Sequence, residues 1–316
     1  MTTIRTDDGF RDAMLDGLSR RPRAVPCKYL YDAEGSDLFE RITGLEEYYP
    51  TRTEIGLLGR HGGDIARLVG PGARVVEFGA GSMRKTGLLI GALEAPAAYV
   101  PIDVARDMLM LAARRIADEH PGMVVSPVVA DFLRPLDLPD DGPDEGAGPV
   151  LGFFPGSTIG NMVPGEACGF LRRVGRLAGP GGWLLVGVDL AKDPRILEAA
   201  YNDARGVTSA FIRNLLARAN RELGADFDLG AFDHRTWWNA REGRVEIHLC
   251  ALRRQTVTVA GRAFAFDSGD LLHVENCYKY TVEQFRWLAR QGGFLPEAVW
   301  TDPASLFSLH LLRRSG

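Results

Sequence analysis

A chain of 316 residues, 46% apolar and 25% charged, has enough material for one large or two ordinary soluble domains around a sizeable core. Its formal charge of −4 offers no basic field to a phosphate backbone, so nucleic acid is not an expected partner. No run approaches the roughly 18 apolar residues of a membrane span.

The N-terminus, Met1–Asp8, lacks the basic start and apolar core of a leader. Cys27, Cys168, Cys250 and Cys277 lie too far apart for a disulfide framework or a metal-ligand set. A reduced, cytoplasmic setting is the expectation. Phe10, Met14 and Leu18 recur every four residues, as on a short amphipathic helix. After the aromatic stretch 26–36, Leu38, Phe39, Ile42 and Leu45 share one side of a second helix. It is expected to end at Glu46-Glu47-Tyr48-Tyr49-Pro50, where proline stops it. Thr51-Arg52-Thr53-Glu54 has capping-box spacing and is expected to open a third helix.

The stretch Ala73–Ser82 organises the middle of the chain. A β-branched and aromatic run ends in Gly79-Ala80-Gly81, as a buried parallel strand does when it delivers bare backbone to a ligand. An ordinary strand-to-helix turn reads the same way. A helix is expected from Arg84 to Leu93, a strand over 98–103 and a helix whose core stripe includes Met108, Leu109, Ala112 and Ile116. A third strand runs from Met123 to Ala130 and ends in Asp131-Phe132; the acidic interval 139–146 is a surface loop. Val150 to Phe154 is a fourth strand, a helix surrounds Phe170 to Leu177, and Trp183 to Asp189 is a fifth strand. Such alternation implies a parallel sheet with right-handed crossovers.

The rhythm breaks after that strand. Residues 197–223 read as largely helical, and 235–280 alternate with period two, as antiparallel hairpins do. Thr281 caps a helix, and two closing strands return to the parallel sheet. The expected architecture is α/β, residues 53–192 with 280–316, plus a second α+β domain, residues 1–52 with 193–279.

Ligands of an open parallel sheet sit beyond the carboxyl ends of its strands. There Asp103 is placed to bond ribose hydroxyls, Asp131 to meet an adenine amine, and Phe132 to pack on the base. Each acid alone is commonly a turn former; on consecutive strands of one sheet they favour adenosine. Lys85 joins Gly79, Gly81, Asp103, Asp131 and Phe132 as a cofactor-binding candidate. Arg84 stands where a dinucleotide fingerprint has its third glycine, which argues against a pyrophosphate and for S-adenosylmethionine. Its sulfonium carries an electrophilic methyl group, so the protein's task is to place a nucleophile in line with it.

Several stretches resemble the histidine-specific Nα-methyltransferases of ergothioneine biosynthesis, which convert L-histidine to hercynine. They are 28–33 (KYLYDA), 47–54 (EYYPTRTE), 76–82 (VEFGAGS), 156–161 (GSTIGN), 200–208 (AYNDARGVT), 220–223 (NREL) and 300–303 (WTDP), with Glu275 and Lys279. The resemblance implies a class I methyltransferase domain, a Rossmann-like parallel sheet with an antiparallel C-terminal hairpin, and an inserted substrate-binding domain. It implies that Asn161 and Tyr201 hold the amino acid's carboxylate and amine, with Tyr48 and Tyr31 beside the amine, and that Glu275 bonds the imidazole. Tyr31, Tyr48 and Asn161 are then the catalytic candidates. Two positions depart from the family: Cys277 stands for a serine that bonds the other ring nitrogen, and Ile247 for a methionine.

Substrate identity is therefore open, between L-histidine and another aromatic amino acid such as tryptophan, whose indole N–H also suits Glu275. A nicotinamide dehydrogenase is opposed by Arg84, and a non-catalytic sensor by the amine-orienting tyrosines. S-Adenosylhomocysteine is the expected product, a monomer the expected state, and neither metal nor membrane is expected. The six histidines show no metal-ligand spacing, and Trp237-Trp238 reads as a hairpin anchor.

Overall fold

The computed structural model describes residues 8–81, 83–136, 138 and 148–315. Ser82, the acidic interval 139–146 and the first seven residues thus lie outside the described residues. The chain divides into two compact units, Met1–Tyr49 with Lys192–Cys277 and Pro50–Ala191 with Tyr278–Gly316. The expected seams stood at 52/53, 192/193 and 279/280.

The second unit holds an eight-stranded sheet. From one edge its order is Phe294–Thr301, Phe307–Arg314, Trp183–Asp189, Val150–Phe154, Arg74–Phe78, Ala98–Asp103 and Val124–Val125; Val128–Val129 also pairs with Ala98–Asp103. The inner strands are parallel, while Phe307–Arg314 runs antiparallel to both of its neighbours. Strand period two divides the side chains between two cores. Val76, Phe78, Leu184 and Val186 join Phe170, Leu171 and Phe285 on one face. Val75, Leu185 and Leu309 join Leu57, Ile65, Leu89 and Ile116 on the other. Burial on both faces explains the unbroken apolar run of Trp183–Asp189.

The first unit is built on a four-stranded sheet in the order Arg23–Ala24, Leu271–Tyr278, Arg244–Ala251 and Phe232–Asn239, with a separate hairpin of Gln255–Val259 and Arg262–Phe266. The helix Val207–Leu223 packs on Phe232–Asn239, on Arg244–Ala251 and on the helix Ala33–Thr43. It is bracketed by Gly206 and Gly224, both left-handed, a conformation glycine adopts without a Cβ penalty.

Five expectations about elements need correction. The second helix ends at Thr43, capped by Gly44, well short of Pro50. Pro50 instead lies in the first turn of the helix Tyr49–Val69, where its missing N–H costs nothing, so Thr51–Glu54 is helix interior and not a cap. The third strand is split into Val124–Val125 and Val128–Val129. Its register on Ala98–Asp103 sets Pro127 against Pro101, and neither proline has an N–H for the ladder. Met108 is 47% exposed whereas Leu109 is fully buried, so only Leu109, Ala112 and Ile116 of that stripe are core. The expected helical stretch 197–223 is two helices, Pro194–Ala200 and Val207–Leu223, with Tyr201 at the turn after the first.

Candidate active site

In the second unit the strand order reverses between Arg74–Phe78 and Val150–Phe154. The chain leaves the first toward Ala98–Asp103 and later returns to its other side, and ligands sit at the carboxyl ends at such a switch. Gly79 leaves its strand with φ +78°, a conformation a side chain would strain. Its N–H bonds Ile102 O at 2.9 Å, and a Cβ there would come 3.6 Å from the ring of Phe132. A Cβ on Gly81 would meet open space.

Asp103 and Asp131 end neighbouring strand segments, and each also forms the turn its residue type favours. An oxygen of Asp103 accepts from Ala105 N at 2.8 Å, and one of Asp131 accepts from Leu133 N at 3.0 Å. Burial raises the Asp103 carboxyl above its ordinary pKa. Phe132 is seated edge-on against Phe78, Phe154 and Phe170, with centroids 5.6–6.4 Å away. Bare backbone, two acids and an anchored ring suit an adenosine with its ribose. Beneath them Glu77 is fully buried, and one of its oxygens takes the hydroxyls of Thr86 at 2.7 Å and Tyr99 at 2.6 Å. Burial pushes its pKa up to about 7.

Lys85 lies 2.6 Å from Glu54, a fully buried carboxylate. Glu54 also accepts Gly156 N with both oxygens, at 3.0 and 2.9 Å. It therefore ties the helix after the glycine turn to the loop after Val150–Phe154, the two sides of the switch point. The sequence reading missed it, taking its spacing for a helix cap; its place in the matching stretch 47–54 was the available signal. The next loop residue, Ser157, is left-handed, and its hydroxyl accepts Asp189 N at 3.0 Å. Asp189 in turn pairs with Lys279 at 2.6 Å, both fully buried. The short turn Thr158–Asn161 follows, and Gly160 fits because a Cβ would lie 2.7 Å from Tyr278 O. Asn161 is thus delivered by a loop fixed at three points.

In the first unit, the stretch 28–33 proves largely structural. Tyr29 bonds Gly9 O at 2.8 Å, while Asp32 caps Ala33–Thr43 through Gly35 N at 2.8 Å. Asp32 also accepts Asn214 at 2.7 Å and pairs with Arg221. These contacts fix Tyr31 between them. Its ring packs on Phe39 at 5.4 Å and Phe211 at 5.3 Å; Phe39 meets Tyr48, and Tyr48 meets Tyr201 edge-on at 6.1 Å. Three expected site tyrosines thus share one aromatic wall, joined by Phe39 and Phe211, which the sequence reading did not single out.

Burial pushes the Tyr31 phenol well above its ordinary pKa, and the Glu275 carboxylate adds to this, with Cys27, Tyr48 and Cys277 contributing less. Tyr31 therefore stays protonated and able to donate. Glu275 and Cys277, both buried on Leu271–Tyr278, are thus near enough for their charge to act on the phenol. Ile247, fully buried, lies on the next strand, opposite Thr236. A carboxylate, phenols and ring faces can hold a small aromatic molecule that bears an N–H and an amine, and aromatic faces tolerate the cation formed when that amine is alkylated. Among the described residues no group of three or more His, Cys, Asp or Glu is placed to hold a metal.

Comparison with known proteins identifies the family. The family model described as histidine-specific methyltransferase, SAM-dependent, matches residues 10–314. The histidine N-alpha-methyltransferase of Mycolicibacterium smegmatis is 41% identical over 97% of this chain and 95% of its own length. That of Mycobacterium tuberculosis is 38% identical over 96% and 94%. More distant is the L-tryptophan methyltransferase trpM of Psilocybe serbica, 27% identical over 96% and 92%. Matched from its first helix to its last strand, the chain belongs to the family of histidine-specific methyltransferases that depend on S-adenosylmethionine.

Proposed function

We propose that the protein transfers three methyl groups, one at a time, to the α-amine of L-histidine, giving hercynine at the first step of ergothioneine biosynthesis. The observation that supports this reading is the buried Glu275 carboxylate acting on Tyr31, whose ring belongs to the aromatic wall. A ring N–H is the natural partner of such a carboxylate. When bound, S-adenosylmethionine supplies the electrophilic methyl group. Gly79, Gly81, Asp103, Asp131 and Phe132 are the residues to hold it, with Lys85 fixing their support through Glu54.

The attacking amine must be neutral. Tyr48, Asn161 and Tyr201 are the groups for the amine and carboxylate, and protonated Tyr31 helps to orient the amine by hydrogen bonding. As methyl groups accumulate the product becomes a fixed cation, which the faces of Tyr48 and Tyr201 favour. In this reading the second unit is the cofactor domain and the first the substrate-binding domain. We place the reaction in the cytoplasm, where cysteines that form no disulfide are at home.

The test is mass spectrometry of L-histidine incubated with S-adenosylmethionine and the protein. The expected product is heavier by three methylene units, and Glu275→Ala is expected to form none while binding S-adenosylmethionine normally by calorimetry. Absence of any histidine product from the wild-type protein, with L-tryptophan turned over instead, would replace histidine by the indole substrate. Loss of cofactor binding together with turnover in Glu275→Ala would mean that the residue is a folding element.

A further inference from the structure

Residues 44–48 form neither helix nor strand, so the place of Tyr48 in the first unit depends on side-chain ties instead of a backbone ladder. A tie stands on each side of it. Before Tyr48, Glu47 accepts Ala204 N at 3.3 Å. After it, the hydroxyl of buried Tyr49 accepts the Lys192 ammonium at 2.6 Å, and the same ammonium lies 4.6 Å from the centre of the Tyr49 ring. A hydroxyl and a ring face together suit a partly buried ammonium.

Lys192 and Ala204 flank one short helix, Pro194–Ala200. Lys192 precedes Asp193, which caps that helix by accepting Arg195 N at 2.9 Å; Tyr201 follows its last turn, and Ala204 lies in the turn beyond. The helix is itself fixed to the sheet, because Glu198 accepts Trp238 N at 2.9 Å. Seven residues rise roughly 10 Å, so the segment bearing Tyr48 is tied to an anchored helix ahead of its start and beyond its end. Between the two ties the ring of Tyr48 meets Tyr201 edge-on at 6.1 Å. The stronger tie joins residues 143 positions apart: Tyr49 ends the first segment of this unit and Lys192 begins the second. We propose that Lys192 is a positioning residue for methyl transfer, which holds Tyr49 and through it sets Tyr48 against Tyr201, the phenols that meet the substrate's amine and carboxylate. This rests on the reading of Tyr48 and Tyr201 as contacts of the amino acid. A small displacement of groups that orient a nucleophile is costly to transfer.

The test uses Lys192→Met, which keeps the stem and removes the ammonium, and Tyr49→Phe, which keeps the ring and removes the hydroxyl. The expected result is a KM for L-histidine about tenfold higher in each and no higher in the double variant, because both remove the same bond. A smaller folded fraction lowers the rate at every substrate concentration and leaves KM where it was, so KM separates positioning from mere support. A lower melting temperature with unchanged KM in both single variants would overturn the proposal, as would effects that multiply in the double variant. A rise in Lys192→Met alone would make the lysine a direct contact of the substrate and overturn it too. Wild-type KM in both Tyr48→Phe and Tyr201→Phe would instead remove the site reading beneath it.

Discussion

In the proposed reading, Cys277 is the position where a single atom type bears most directly on substrate choice. It is buried two residues along the strand from Glu275, near enough for its charge to act on the Tyr31 phenol. A thiol is larger than a hydroxyl and donates weakly. Cys277→Ser should therefore lower the KM for L-histidine about fivefold, on the scale of one neutral hydrogen bond. Steady-state kinetics showing no change would mean that the thiol does not touch the ring. Other residues of the matching stretches have turned out to be frame. Asn220 makes a paired bond to the backbone of Phe227, donating to its O and accepting from its N, each at 2.8 Å. Asp302 accepts Leu306 N and Phe307 N at 2.7 Å, closing the last hairpin. Such roles are invisible in a motif because a carboxylate or amide looks the same whether its partner is backbone or ligand.

Among elements, Trp183–Asp189 shows how packing on one strand governs a loop on another. A Cβ on Gly187 would lie 1.9 Å from a Glu54 oxygen, and Glu54 has no slack, being held by Lys85 and Gly156 N. Gly187→Ala should displace the carboxylate and leave buried charge unmatched, a loss of about 3–5 kcal/mol, and should weaken S-adenosylmethionine binding. Melting and calorimetry that both match wild type would show that Glu54 does not order the loop. Element type was legible wherever periodicity was long, as in Val207–Leu223 or Trp183–Asp189. It failed at Pro50 and Pro127, where the same residue opens a helix in one place and interrupts a ladder in another. A proline's effect depends on whether an N–H was needed there, and that is set by neighbours distant in sequence.

Across the whole molecule, buried histidines set the response to acid. Burial lowers the pKa of His234 and His248 to about 4 and of His310 to about 3, and lowers His273 as well. Each is neutral when folded and titrates near 6.5 when unfolded. Their stabilising contribution is therefore complete above pH 6.5 and is lost as pH falls toward 4. Glu77 works the other way. Its folded pKa of about 7 lies above its unfolded value, so its contribution is greatest at low pH and declines as pH rises from about 4.5 to 7. Four groups outweigh one, so the melting temperature should drop between pH 6.5 and 4.5, and Glu77→Gln should make that drop steeper. A flat profile in this window would mean that these imidazoles are charged in the folded protein.

The sequence alone determined the parallel sheet, the break of the chain into two parts and the glycine turn with its two acids. These depend on apolar period, turn chemistry and local spacing, which a linear chain carries in full. The tertiary structure decided that Glu54 braces both sides of the switch point, that Phe39 and Phe211 join the tyrosines, and that Lys192 meets the Tyr49 hydroxyl. Those facts arise from pairings between segments far apart in the chain. Whether a polar atom finds a partner is a property of the packed interior, fixed only once the strands have chosen their register.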